Sequence, residues 1–382
     1  MLKVCGVTFD HTTNYGSCFQ AYAMQTAIEA MTIQGEKCHY DLLPTAILMA
    51  EKQSPKSSEK NNFISSIKKK ILASLHKERR KRFAEFENKY MHFADCKRMQ
   101  ELPSLNEQYD AFVCGSDVVW NVNYTQGESM FFLDFTEKYK FSYAASFGVM
   151  DIDRDYKSLS NGKSARKIFQ TYLPKLNQIS VRESSAVDTA QKLSGKPAVH
   201  VCDPVLLLSP EQWDKLAGKA KGKKHYIFAY STYVNTKYMA FLKQLRKETG
   251  LPIIHVTWDF KAALTNGLLF GPRPEKWLQL MRDADYVVTN SFHGVVFCTL
   301  FHKTFWFPLR DDTINGIGVR LFDYLHLCGL DERMVIGTPS YIDLSPLDYS
   351  KTDERIRQFR EKSIEFLKTN LQVAQKKGDN YT

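Results

Sequence analysis

The chain of 382 residues has no CxxC pair and no cysteine–histidine set at zinc-ligand spacing; its eight cysteines, at 5, 18, 38, 96, 114, 202, 298 and 328, are scattered. Structural zinc and redox dithiols need such short spacings, so no metal and no disulfide framework is expected. Several cysteines lie in apolar runs, Val113-Cys114 and Val201-Cys202 among them, where a reduced thiol packs as a small hydrophobe. No segment approaches the ~20 apolar residues of a membrane span. Met1-Leu2-Lys3-Val4 enters a strand-like run without the cationic and apolar segments of a signal peptide, so the expected location is the cytoplasm. Fixed-period repeats and extended low-complexity tracts are missing too. What is present is the composition of a globular protein, 43% hydrophobic, 25% charged and 13% aromatic. At ~100–200 residues per domain the length suggests two domains. The formal charge of +10 favours anionic partners: phosphorylated metabolites, lipid pyrophosphates, membrane surfaces or nucleic acid. No nucleic-acid-binding motif accompanies it, so nucleic acid is not an expected partner.

Leu2 to Phe9 reads as a strand. His11-Thr12-Thr13-Asn14-Tyr15-Gly16-Ser17 supplies turn and cap chemistry, and a helix follows from about Cys18 to Ile33. Residues 51–62 are polar and breaker-rich and read as a mobile loop. Over 64–86, Ile64, Ile67, Ile71, Leu75, Phe83 and Phe86 recur at roughly helical spacing, with Lys68, Lys69, Lys70, Lys77, Arg79, Arg80, Lys81 and Arg82 between them. A basic amphipathic helix of this kind either lies on an anionic membrane face or is simply solvated on one side. Short apolar strands then follow at Ala111–Cys114, Phe141–Ala145, Ile179–Val181 and Val199–Cys202, with helices at 164–176 and 184–193. Strands alternating with helices point to a parallel sheet covered on both faces. After the Gly/Lys-rich stretch 218–224, which reads as a linker, strands at 225–230, 253–257 and 286–289 alternate with helices near 235–249, 274–284 and 294–302. The expected fold is α/β: a Rossmann-like domain over 1–208, a second over 209–350, and a C-terminal helix within 351–382 packing back.

Two such domains predict a cleft, since ligands of open parallel sheets bind beyond the carboxyl ends of the strands. Four polar segments occupy such places: Asn14-Tyr15-Gly16; Gly115-Ser116-Asp117 with Trp120-Asn121; Arg182-Glu183; and Asn290-Ser291-Phe292-His293-Gly294. None is a Walker loop or a dinucleotide fingerprint. Ser291 and His293 fall in a strand-to-helix turn, where free amides suit a phosphate or carboxylate and a histidine can transfer a proton; capping or core packing would use the same residues. Arg182 could grip a carboxylate or phosphate at two points, or pair with Glu183. In Gly115-Ser116-Asp117 the small residues would admit a ligand to the backbone while Asp117 accepts a hydroxyl proton, unless the segment is only a turn and cap. Trp120 and Asn121 offer a ring face and an amide to a sugar, against simple burial. Asp203 before Pro204 reads as structural. Arg273, before a helix, either faces the cleft or only marks the helix entry.

Several segments are recognisable together and in order: Asn14-Tyr15-Gly16 with Gln20-Ala21-Tyr22-Ala23; Tyr109 to Asp117 with Trp120-Asn121; Ser142 to Gly148; Ile179-Ser180-Val181-Arg182-Glu183; Cys202 to Leu208; Thr289 to Gly294; and Arg320 ahead of Leu321-Phe322-Asp323-Tyr324-Leu325. The ordered set resembles the polysaccharide pyruvyl transferase family. The resemblance implies two domains arranged as in B-type glycosyltransferases. It also implies transfer of a pyruvyl group from phosphoenolpyruvate onto two hydroxyls of one sugar, as a cyclic ketal, in the assembly of bacterial exopolysaccharide or capsule. No cofactor is implied, since phosphoenolpyruvate is the donor substrate. On this reading Arg182, Ser291, His293, Gly294 and Arg320 bind the donor, His293 is the general acid and Asp117 activates the acceptor hydroxyl. Asn14, Tyr15, Gly115, Ser116, Trp120 and Asn121 face the acceptor sugar. Some members have Arg-Leu-His where this chain has Ser291-Phe292-His293, which removes one cation from the expected phosphate cradle and leaves open whether Arg320, Arg273 or Lys303 compensates or the donor differs. The implied acceptor is a glycan on a lipid pyrophosphate carrier, and the basic segment 64–86 is compatible with peripheral contact at the inner face of an anionic membrane. The competing readings are a nucleotide-sugar glycosyltransferase and a non-catalytic carbohydrate-binding relative.

Overall fold

The computed structural model of the chain describes residues 1–51, 63–149, 151–156, 164–219, 224–257, 271–309, 319–337 and 339–379. Seven strands form the N-terminal half: β1 (Leu2–Val7), β2 (Thr32–Ile33), β3 (Glu36–Leu42), β4 (Ala111–Cys114), β5 (Tyr139–Ser142), β6 (Ile179–Val181) and β7 (Ala198–His200). The first five lie in the order β2-β3-β1-β4-β5, and all neighbours are parallel except the β2–β3 hairpin. The parallel pair β6–β7 continues this sheet through the bridges Phe141 to Gln178 and Ala145 to Val181. In the second half β8 (Ile227–Ser231), β9 (Ile253–Thr257), β10 (Tyr286–Thr289), β11 (Thr304–Pro308) and β12 (Met334–Val335) form an all-parallel sheet, ordered β12-β11-β10-β8-β9. Central strands such as β4 and β8 are buried at every residue, as sheets covered on both faces require.

The expected strands at Ile179–Val181, 253–257 and 286–289 are present with those limits. The first helix starts at Tyr15 rather than Cys18, because the Asn14 side chain caps it by accepting from the Gly16 amide at 2.9 Å. For the same reason the helix after β10 starts at Phe292, with Ser291 as its cap. Strands β3 and β11 had no counterpart in the sequence reading. β3 alternates buried Cys38, Tyr40 and Leu42 with polar residues, and the turn before it places Gln34 (φ 47°) and Gly35 (φ 86°) in the left-handed region that two-residue hairpins favour. Apart from Glu51, the expected loop 51–62 lies outside the described residues, as do 220–223 of the expected linker.

The two halves share one apolar core. Tyr15 stacks on Trp277 at 5.3 Å and donates its hydroxyl to the Pro272 carbonyl at 2.6 Å, while Phe19 meets Trp213, Trp277 and Phe297 edge-on or tilted. The first helix of one half is thus embedded in three helices of the other. The long helix Phe63–Tyr90 joins this core through buried Phe83 and Phe86, and Arg79 lies nearly enclosed with its guanidinium over the Tyr15 ring. That part of the apolar stripe is occupied inside the protein and is not a membrane-facing surface; the side chains of Lys68, Lys69 and Lys70 lie outside the described residues. Among the described residues no helix is long and apolar enough to cross a membrane. The helix Ser350–Asp379 begins beside the second sheet, where His302 faces Asp353, and runs back over the first, where Ser363 accepts from the Cys202 amide and Asn370 accepts from the Tyr139 hydroxyl. All eight cysteines are buried free thiols.

Trp277→Ala should cost about 3–5 kcal/mol in urea unfolding, the usual range for deleting a buried aromatic ring. A loss below about 1 kcal/mol would show that the interface tolerates a missing wall and does not hold the halves together.

Candidate active site

The polar segments that follow β1, β4, β6, β7 and β10 converge at the carboxyl ends of their strands. Asp203, just beyond β7, lies at the centre. Its Oδ2 accepts from Arg182 Nη1 at 3.0 Å and from the Ser116 hydroxyl at 3.2 Å, and Oδ1 accepts from the Val205 amide at 3.0 Å. His293 Nε2 lies 3.3 Å from the same Oδ2, within ion-pair reach but off the line of a good hydrogen bond. Arg182 also donates from Nε to Glu183 at 3.1 Å, and Nη1 is 3.8 Å from Asp117. Phe292 covers the guanidinium at 4.6 Å. Arg182 Nη2 alone is buried without a partner.

Burial by itself would raise the Asp203 pKa, but His293 and Arg182 overcome it and hold the carboxyl well below the usual carboxylate range. Burial would likewise lower Arg182, and Glu183, Asp203 and Asp117 together hold it above the usual arginine range. The neighbours therefore favour the ionised form of Asp203. Asp117 is held at φ 68°, an uncommon conformation for a residue with a side chain, by the Ser17 hydroxyl at 2.6 Å and the Val118 amide at 2.8 Å.

Two helix N-termini, one from each half, meet at His293. The ring lies against Gly16 in the first turn of Tyr15–Glu29: a Cβ on Gly16 would fall 2.0 Å from His293 Nδ1. Gly294 is pinned likewise, since its Cβ would fall 2.2 Å from Thr289 Oγ1. The amide ends of both helices bring partial positive charge to a spot that already holds three carboxylates. Beside them a cavity with room for about one water is lined by Arg182, His200, Asp203, Phe292, Asp323 and Phe359, among others.

The structure brings Arg182, Asp117 and His293 into one cluster, with Ser291 and Gly294 in the turn that carries His293. Ser291 spends its hydroxyl on the Gly294 amide, at 3.4 Å. The Arg320 side chain lies outside the described residues, although its helix Val319–Cys328 reaches the cluster through Asp323, which accepts from the Ser185 hydroxyl at 2.8 Å. Arg273 pairs with Glu85, and Lys303 donates to the Ala284 carbonyl.

The expected acceptor set needs correction. Trp120 is fully enclosed, stacked on Phe132 and tilted against Phe147, so neither ring face is open to a sugar. Tyr15 is fully buried in the aromatic interface. Ser116 is enclosed and bonded to Asp203 and the Ala144 carbonyl, while Gly115 (φ 114°) lies where a Cβ would strike the Tyr143 carbonyl. Asn14 and Asn121 are helix caps. Trp120, Tyr15, Gly115 and Ser116 are enclosed, whereas Asn14 is only partly buried.

Sequence reasoning passed over Ser17, Phe292 and the centrality of Asp203. The signal for Asp203 was available, because it ends a strand beside the one that Arg182 ends.

A model of the polysaccharide pyruvyl transferase family matches residues 14–307, a span that contains every member of the cluster. The chain belongs to the polysaccharide pyruvyl transferase family. No curated protein sequence matches it. Among solved structures, the wall teichoic acid polymerase TagF overlaps 99% of this chain and 89% of its own at 11% identity, TM-score 0.47. The UDP-GlcNAc 2-epimerase of Neisseria meningitidis overlaps 98% and 94% at 9% identity, TM-score 0.45. That of Methanocaldococcus jannaschii overlaps 93% and 91% at 9% identity, TM-score 0.46. The pyruvyl transferase fold described here rests on its own strand order.

A second buried polar group adjoins the β1 end of the cluster. Asp10 accepts from the Thr45 hydroxyl and the Ala46 amide and faces His11 Nδ1 at 2.5 Å. Burial pushes the nearby Glu87 carboxyl up to about 7, partly offset by His11, and the hydrogen bond to Asp10 raises His11 against its own burial.

Two outcomes follow from these contacts. Gly16→Ala should displace the His293 ring and lower turnover by about 100-fold or more, while far-UV dichroism stays unchanged; near-normal turnover would release His293 from its position against the helix end. For Glu87 the folded pKa exceeds the unfolded value of roughly 4.3, so its contribution to stability is full below that value and is lost as pH rises toward 7. Glu87→Gln should therefore gain on the wild type by on the order of 2 kcal/mol between pH 5 and pH 8, read from urea midpoints. Parallel pH profiles for the two proteins would rule this out.

Proposed function

We propose that this protein transfers the pyruvyl group of phosphoenolpyruvate to two hydroxyls of one sugar in a polysaccharide or its lipid-linked precursor. The observation that carries the reading is His293 at a helix N-terminus, facing the buried Asp203 that also binds Arg182. An aspartate within ion-pair reach of one ring nitrogen compensates the charge of the imidazolium.

The steps are these. His293 delivers a proton to C3 of phosphoenolpyruvate, and positive charge develops at C2. A sugar hydroxyl attacks C2, giving its proton to a neighbouring base, for which Asp117 is the candidate. The C2–O bond to phosphate breaks, phosphate leaves, and a second hydroxyl of the same sugar closes the ketal as its proton is lost. The three carboxylates around Arg182 leave it only Nη2 for the donor. The donor's second anionic group falls to the amides at the start of the helix Phe292–Leu300. A lipid-linked acceptor would bring the protein to an anionic membrane face, where the net charge of +10 favours contact.

Calorimetric titration with phosphoenolpyruvate, inorganic phosphate and a nucleotide diphosphate tests the donor. Phosphate release with a panel of oligosaccharides tests the transfer. Phosphoenolpyruvate should bind the wild type, and His293→Gln should lower phosphate release by about 100-fold or more while the protein still folds. Binding of the nucleotide diphosphate without binding of phosphoenolpyruvate would replace this reading with a nucleotide-sugar glycosyltransferase.

A further inference from the structure

The helix Tyr15–Glu29 has its first turn in the proposed active site, and its last residue takes part in a different cluster at the opposite end. Glu29 Oε1 lies 3.2 Å from His92 Nδ1 and 3.8 Å from His39 Nδ1. One potential ligand atom from each of the three residues lies within 4.8 Å of the others, and the two imidazoles are nearly parallel with centroids 5.6 Å apart. His39 belongs to β3, in register with Lys3 of β1, and His92 follows the helix Phe63–Tyr90. The cluster is therefore on the amino-terminal side of the sheet, about 15 Å along β1 from the Thr8–Ser116 contact beneath the active site.

What distinguishes this group from a chance meeting of side chains is the support behind it. His39 Nε2 faces Asp41 Oδ2 at 3.1 Å, and the same oxygen accepts the Tyr109 hydroxyl at 2.8 Å. An aspartate on Nε2 fixes the tautomer in which Nε2 carries the hydrogen and Nδ1 turns its lone pair inward. This carboxylate–histidine pairing is the usual outer support of a metal-ligating imidazole. Two Nδ1 atoms aimed at one carboxylate oxygen are satisfied either by a proton on each ring or by one divalent cation bonded to all three groups. A tetrahedral ion with bonds near 2.0–2.2 Å places its ligand atoms roughly 3.3 Å apart, close to the 3.2 Å between Glu29 and His92, while the 3.8 Å to His39 would shorten by roughly 0.5 Å on binding.

We propose that Glu29, His39 and His92 bind a divalent transition-metal ion of the zinc class. Solvent completes the shell, since the His92 side chain is 53% exposed. Imidazole and carboxylate together select zinc-like ions over magnesium or calcium, which prefer all-oxygen shells. The ion joins the end of the first helix, β3 and the segment after the Phe63–Tyr90 helix. Its role is structural, because it lies away from the Asp203 cluster and anchors the far end of the helix that carries Gly16 and Ser17.

The test uses the full-length protein after chelation, titrated with Co²⁺ and then Zn²⁺, with Mg²⁺ as a control. One equivalent of Co²⁺ should give visible ligand-field absorption without thiolate charge-transfer bands, and Zn²⁺ should abolish it. Zn²⁺ should raise the melting temperature, as any ligand confined to the native state does. His92→Ala should weaken Co²⁺ binding by at least about tenfold, and Asp41→Asn, which among the three ligands touches His39, by about 10–100-fold. Absence of the visible bands, thiolate bands in their place, or equal Co²⁺ affinity in His92→Ala and wild type would each overturn the proposal. So would a chelated protein that ignores Zn²⁺ and gains stability only as both histidines take up protons.

Discussion

A carboxylate with no exposure to water has to be compensated by its neighbours, and the arrangement around Asp203 follows from that requirement. Desolvating an ion costs several kcal/mol even after relaxation, so Asp203 is tenable only with Arg182, Ser116, the Val205 amide and His293 all in place. Those partners come from the ends of β4 and β6 and from the first turn of a helix in the second half. Satisfying one charge therefore fixes how the two sheets meet. A network of this kind adds little net stability over an apolar core, but it penalises every arrangement in which one partner is missing.

The aromatic interface provides the complementary constraint. Tyr15, Phe19, Trp213, Trp277 and Phe297 form a dry layer next to the charge cluster, and Phe292 extends it over the Arg182 guanidinium. Excluding water lowers the local dielectric, which strengthens each ion pair and makes any unpaired group expensive. In such surroundings backbone contacts become part of the chemistry. Gly16 and Gly294 are glycines because a methyl group would occupy the space of His293 and Thr289, respectively. The left-handed backbone of Asp117 belongs to the same economy, a local strain held by Ser17 so that a carboxylate points at the site.

Much of this was legible in the order of residues. The runs Ile179–Val181 and Tyr286–Thr289 read as strands from their apolar character, and the polar residues just beyond them read as site candidates, because parallel sheets place their ligands there. Arg182, Asp117 and His293 were found that way, and the structure brings them together. Asp203 was read as a turn residue because Asp-Pro is a common turn pair, and nothing local shows that three other chain segments converge on it. For Trp120 the sugar-facing reading stood against burial, because a ring beside polar residues has the same sequence signature whether it faces a cleft or a core. β3 escaped notice because polar side chains alternate along it and its strand character comes from pairing with β1.

The sequence by itself determined the alternation of strands and helices and the family, because these depend on periodicity and on an ordered set of short segments. Tertiary structure alone decided which charges meet, which aromatics are enclosed, and that Glu29, His39 and His92, far apart along the chain, turn toward one point. The reason is physical: burial and charge pairing depend on distances across the fold, and those arise only when two sheets and their helices close around a common core.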